Sequence, residues 1–229
     1  MLISILRRLY QRARILSRGG RIQRDPTPWH NLRRLEPMSR LFGLDRGTPV
    51  DRHYIEAFLA GHAEALQGRV MEIAEDTYTR RFGQPNVEPI ILDFSAGHDL
   101  TRPDTLPARD LDAIVCTQTL NFIPDAAAAV AGLAAALRPG GTALVTVAGI
   151  SQISRYDMDR WGDFWRFTDR SIRLLFEPHF ESVDVVCYGN VLTATALLHG
   201  VAKEELEADE LAYHDQDYQL VLGVHARKG

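Results

Sequence analysis

The sequence has little cysteine and no long apolar run. Its two cysteines, Cys116 and Cys187, both fall inside apolar, strand-like stretches, so free buried thiols are expected rather than a disulfide framework or a metal pair. No apolar stretch approaches the roughly 18 to 20 residues that a helix needs to span a bilayer. The N-terminus lacks the small-residue cleavage site of a secretory signal, and the expectation is a soluble, cytoplasmic protein. Internal repeats are missing too. The eight histidines are scattered, and none forms a ligand pair with carboxylate or cysteine at metal spacing, so no metal is expected. "RPGG" lacks the Lys-Ser/Thr of a phosphate-binding loop, and no Ser-His-Asp or Cys-His arrangement can be argued.

What is present is enough apolar content, 45% over 229 residues, to bury one sizeable core. The net charge of −4 conceals an asymmetry: residues 1–40 carry ten arginines against Asp25 and Glu36, leaving the rest strongly acidic. "LISILRRLYQRARIL" spaces Leu2, Ile5, Leu6, Leu9 and Ile15 as on an amphipathic helix, with arginines between them. Three readings of this arm stay open: a solvated or partner-packed helix, attachment to an anionic membrane surface, or nucleic-acid contact. No DNA- or RNA-binding module follows, so nucleic acid is not the expected partner; a membrane surface, a protein partner or a second copy of the chain is. The division read from the sequence is a basic helical arm and connector over 1–40 and one α/β domain over 41–229.

Within that domain, Pro49 and Asp51 suit a helix start ahead of Tyr54, Ile55, Phe58 and Leu59. Strands are expected at 69–74, 88–94, 111–117 and 142–148, with a short helical segment near 76–82 and a helix over 124–137. Apolar runs alternating with helices signal a doubly wound, mostly parallel sheet. The rhythm breaks at the end: strands at 181–190 and 218–228 flank a helical excursion without a standard crossover, so the last strand is expected to be antiparallel. "VMEIAEDTYTRRFG" sits where such folds keep a cofactor turn, yet holds no glycine before Gly83.

"RVMEIA" with Glu72, "LDAIVCTQTLNFIPD", "LRPGGTALVTV" and "VDVVCYGN…YQLVLGVHARK", in that order, resemble class I S-adenosylmethionine (SAM) dependent methyltransferases, specifically the small bacterial methyltransferase-domain group. The resemblance covers about residues 45–229. It implies a Rossmann-like seven-stranded sheet with an antiparallel last strand, and SAM as cofactor. "GLDRGTPVDRHYIEAFL", "DTYTRRFG" and "SQISRYDMDRWGDFWRFT" look like a subgroup often found beside or within glycosyltransferases, which implies a sugar or glycosylated metabolite as methyl acceptor.

Two departures stand against the family pattern. The glycine positions of the first loop fall on Ala74, Asp76 and Tyr78, which narrows the loop and adds negative charge; Asp76 or Thr77 can instead cap the following helix. The stretch between the first strand and Leu111 is also too short for the usual helix, strand, helix and strand, so the fold is shortened between strands 1 and 4. The resemblance places the cofactor among Glu72, Ala74, Asp76, Thr77, Asp93, Asp99, Thr117 and Gln118. Asp93 takes the ribose hydroxyls, where a carboxylate makes charge-assisted bonds, or is a turn cap; Asp99 takes the adenine side.

Methyl transfer needs alignment and, for a hydroxyl nucleophile, a base. Residues 151–168 concentrate Tyr156, Asp157, Trp161, Trp165 and Arg166, too polar for a core and too aromatic for a plain linker. Loops of this kind, at strand C-termini, cover the ligand crevice of open α/β sheets. Asp157 is the first candidate base, with Tyr156 and His199 as further catalytic candidates and His214 and His98 behind them. Tyr156, Trp161 and Trp165 are expected to line the acceptor, unless the tryptophans simply pack the loop onto the sheet. The expected function is O-methylation of a sugar-bearing or other small natural product. The alternatives are a methyltransferase-fold partner subunit without catalysis, or a fold redirected to another reaction. An NAD-linked oxidoreductase is disfavoured, because the helix after the first strand lacks its glycine fingerprint.

Overall fold

The computed structural model describes residues 33–229, so most of the basic arm, including its expected amphipathic helix, lies outside the described residues. Residues Pro37–Gly229 form one compact unit. The strands arise from the apolar runs: β1 (Arg69–Ile73), β2 (Glu88–Leu92), β3 (Leu111–Thr117), β4 (Leu137–Ala148), β5 (Ser182–Tyr188) and β6 (Val221–Arg227). They form one sheet in the order β2-β1-β3-β4-β6-β5. β1 to β4 are mutually parallel, and β6 runs antiparallel to both β4 and β5, as the missing crossover predicted.

Side chains alternate across the sheet with the period of two that a pleated strand imposes. On β3, Ile114 and Cys116 enter one apolar layer while Ala113 and Val115 enter the other. The first layer is covered by α3 (Ala126–Ala136), through Val130 and Leu133, and α5 (Asp169–Phe176), through Ile172 and Phe176. The second is covered by α1 (Val50–Gly61), through Tyr54, Phe58 and Leu59, and α6 (Val191–His199), through Ala194 and Leu197. Short helices α2 (Thr77–Phe82), α4 (Arg155–Met158) and α7 (Ala208–Ala212) complete the set. Both cysteines are free; Cys116 is buried, and burial pushes its thiol up to about 12. Among the described residues, no helix is long and apolar enough to cross a membrane.

Two details differ from the sequence reading. α3 begins at Ala126 rather than 124, because Asp125 caps it, its carboxylate accepting from the Ala128 amide at 2.9 Å. "RPGG" is not a free turn but the irregular start of β4, with the pairing register slipping between Leu111 and Ala113.

The shortening expected between the first strand and Leu111 is found: among the described residues the sheet has six strands, without the seventh implied by the resemblance. Between β2 and β3 the chain makes two single turns, Phe94–Ala96 and Pro103–Thr105. Turn formers explain why no strand forms: Asp93 caps the first turn, Gly97 closes it at φ 88°, and Pro103 starts the second. Leu100 anchors the segment under α3, so closely that a Cβ on Gly132 would lie 1.8 Å from the Leu100 carbonyl oxygen. The shortening leaves β2 outermost on that side.

Candidate functional site

A cavity of about 700 Å³ opens beyond the C-terminal ends of β1, β3 and β4. That is the crevice where strand order reverses, and its size lies in the range of small-molecule sites. Four segments build its wall: the turn after β1, the short segment after β2, the exit of β3, and residues 151–166 after β4, with the start of α1 closing one side.

The turn after β1 works without glycine. Ala74 takes the left-handed conformation, φ 68°, that glycine ordinarily supplies, and its amide donates to the Leu92 carbonyl at 2.8 Å. Glu72 is buried behind the wall and does not line the cavity. Its carboxylate accepts from the amides of Tyr78 (3.1 Å) and Thr79 (2.7 Å), and burial holds its carboxyl above the usual range. The cap of α2 is therefore Glu72, not Asp76 or Thr77. Asp76 occupies the N-cap position without a capping bond and pairs instead with Arg80 at 2.7 Å. Ala74, Glu75 and Tyr78 line the cavity; Asp76 and Thr77 do not.

At the exit of β2, Asp93 is committed to its own turn. It accepts from the Ser95 amide at 2.8 Å and from the Ser95 hydroxyl, which lowers its pKa, and it is not part of the cavity wall. Asp99 does line the wall. Burial works to raise its carboxyl, but the Thr101 hydroxyl and amide and the Arg102 guanidinium outweigh that and hold it low.

Thr117 and Gln118 both line the cavity at the exit of β3. Gln118 stands at φ 50°, and its side-chain Nε2 is buried with no partner in the described structure. Backbone strain and an orphaned donor in one residue mark a position shaped by something other than stability. Asn121, which the sequence reading passed over, ties this exit to the loop after β4: its Nδ2 donates to the Trp165 carbonyl at 2.9 Å, and its own carbonyl accepts from the Phe164 amide at 2.9 Å.

The loop after β4 divides its expected residues. Asp157 and Trp161 line the cavity, with Asp157 held by the Ser154 hydroxyl. Tyr156 and Trp165 do not line it. Tyr156 lies outside, under the Arg160 guanidinium and edge-on to Trp161, while the Trp165 indole donates to the Ile123 carbonyl at 3.0 Å. The loop is fixed by Asp163, whose side chain is 1% exposed and which receives both terminal nitrogens of Arg166; Arg166 also donates to the carbonyls of Ser151 and Gln152. Burial works to raise Asp163, and Arg166 more than offsets it.

Of the histidines among the described residues, only His98 reaches the wall, and its Nδ1 accepts from the Asp93 amide at 3.0 Å. His199 ends α6 away from the cavity, where its carbonyl accepts the amides of Met38 and Ser39. His214 packs edge-on against Tyr54 and Tyr188. Among the wall residues that the sequence reading missed are Asp51 and Arg52, in the first turn of α1. Desolvation raises the Asp51 carboxyl, against a bond from the Arg52 amide at 2.8 Å.

No family model and no curated protein matches the chain by sequence. Solved structures do match its fold. A SAM-dependent methyltransferase from Archaeoglobus fulgidus superposes with a TM-score of 0.51 at 13% identity, covering 77% of this chain and 94% of that one. The YcgJ protein from Bacillus subtilis superposes at 0.49 with 15% identity, covering 77% and 98%. At this identity the likeness establishes the fold, a Rossmann-like methyltransferase sheet with one antiparallel strand, and no more.

Proposed function

We propose that the chain is a SAM-dependent methyltransferase acting on a hydroxyl of a sugar-bearing or other small natural product. The observation that carries this reading is the composition of this crevice: a glycine-like turn at Ala74 on one wall and an aromatic, carboxylate-bearing loop, Asp157 to Trp161, on another. The residues present fit SAM. The left-handed Ala74 keeps the turn tight, the unpartnered Gln118 Nε2 awaits an acceptor, and Asp99 presents a low-pKa carboxylate on the wall. Ala74, Glu75, Asp99, Thr117 and Gln118 would hold the cofactor; Asp93, committed to Ser95, contributes through the shape of its turn.

SAM supplies an electrophilic methyl group when bound. The chain's part is to align the acceptor and take its proton. Asp157 is the proposed base, oriented by Ser154, and Trp161 offers a face to the C–H side of a sugar ring. The Asp163–Arg166 pair holds this loop in position, which is where an alignment-dependent reaction is most sensitive.

Calorimetry of the 229-residue protein with SAM and with S-adenosylhomocysteine tests the cofactor half. Assay of labelled methyl transfer to a panel of glycosides tests the acceptor half. Asp157→Asn should lower turnover by roughly 10²–10⁴-fold, the usual worth of a positioned base, with cofactor affinity unchanged. A protein that binds neither nucleoside would favour the non-catalytic partner subunit instead.

A further inference from the structure

The turn after β1 raises an electrostatic problem that the same cavity answers. Two of the first amides of α2, those of Tyr78 and Thr79, are consumed by Glu72, and the Ala74 amide by Leu92. Glu75 lines the cavity, while Asp76 stands outside the wall and is paired with Arg80, so an anionic group at the turn meets the Glu75 charge with those three amides already taken. A cation on the same wall would offset the Glu75 charge for a ligand carboxylate.

The arginines on the wall are Arg52 and Arg166. Arg166 is committed to Asp163 and to backbone carbonyls. Arg52 is exposed, and its guanidinium makes no hydrogen bond or ion pair within the described residues; Glu56, its natural partner one helical turn on, is turned to Arg81 at 2.7 Å. Arg52 also stands in the first turn of α1, where a cation opposes the helix dipole, so helix stability gives no reason for it. It shares the wall with Asp51 and Tyr78; burial raises the pKa of both, and the Arg52 charge works to lower it.

We infer that Arg52 is the carboxylate clamp of the site, gripping the α-carboxylate of the amino-acid end of the cofactor in place of the amides taken up by Glu72 and Leu92. Glu75 on the same wall supplies the complementary charge for the ammonium. A planar guanidinium suits this task because it meets a carboxylate through two parallel bonds. The inference rests on the SAM reading above.

A pair of nucleosides tests it without any acceptor. S-adenosylhomocysteine carries the amino-acid end; 5′-methylthioadenosine has the same adenosine and thioether without it. Calorimetry on the full chain should show Arg52→Ala weakening S-adenosylhomocysteine about tenfold or more, as for a lost bond to a charged group. The same change should leave 5′-methylthioadenosine within about twofold, and Arg52→Lys should recover part of the loss. Equal effects on both nucleosides, or none on either, would overturn the clamp while leaving the cofactor reading intact. If the wild type binds neither, both fall together.

Discussion

The Glu72 carboxylate accepts the Thr79 amide at 2.7 Å and the Tyr78 amide at 3.1 Å, so a strand residue caps a helix that begins five positions later. Burial nevertheless holds the Glu72 carboxyl above its ordinary value. Such a group binds its proton more tightly in the folded chain than in the unfolded one. Its contribution to stability is therefore fullest below the unfolded value of about 4.3 and declines as the pH rises through the folded value. Glu72→Gln removes that titration while adding a constant penalty for a poorer cap. The variant's melting temperature relative to the wild type should rise as the pH climbs above the unfolded value of about 4.3. A difference that stays flat or falls over this range would show that the amide bonds outweigh burial.

Ala74 predicts a gain from a glycine. Its φ of 68° places a Cβ where left-handed backbone penalises it by about 1–2 kcal/mol, while the added freedom of glycine in the unfolded chain returns about 0.4–1 kcal/mol. Ala74→Gly should therefore stabilise the protein modestly, by roughly 0.5–1 kcal/mol, read as a higher urea midpoint at unchanged slope. A lower midpoint would mean that the alanine methyl packs well enough to repay its strain.

Asp163 and Arg166 predict a pH-dependent loss of the opposite sign. Asp163 is held low by its partner, so the pair's contribution is present above the unfolded value of about 3.9 and disappears as the pH falls through the folded one. Asp163→Asn leaves a partly buried guanidinium unpaired and should destabilise by roughly 3 kcal/mol at neutral pH. Chemical denaturation should show that gap narrowing below about pH 4. A gap that persists in acid would assign the loss to packing rather than charge.

The strands were legible because buried parallel strands read as near-continuous apolar runs, as "AIVC" in β3 and "ALVTV" in β4 do. The antiparallel β6 was legible from the missing crossover before it. The role of Asp93 was half legible: Asp-x-Ser is a local turn signature, and in the described structure the carboxylate serves that turn. Glu72 misled for the reverse reason. An acid at a strand end suggests a ligand contact, and only the folded chain shows two amides reaching it first. Asp51 and Arg52 were illegible because their segment reads as a helix start. Their place on the cavity wall depends on α1 packing against the sheet near a turn more than twenty residues later.

The shortened connection after β2 also decides what the sheet offers to other chains. The Glu88 amide donates to Gly68 at 2.6 Å and the Leu92 carbonyl accepts from Ala74, so alternate residues Glu88, Ile90 and Leu92 turn their backbone groups toward β1. Pro89 and Ile91 turn theirs toward solvent. Proline has no amide hydrogen, so a passing extended segment that tried to anneal along this rim would find a donor missing at the first position it met. With β2 outermost, this rim of the sheet therefore carries a partial blocker against edge-to-edge pairing at Pro89.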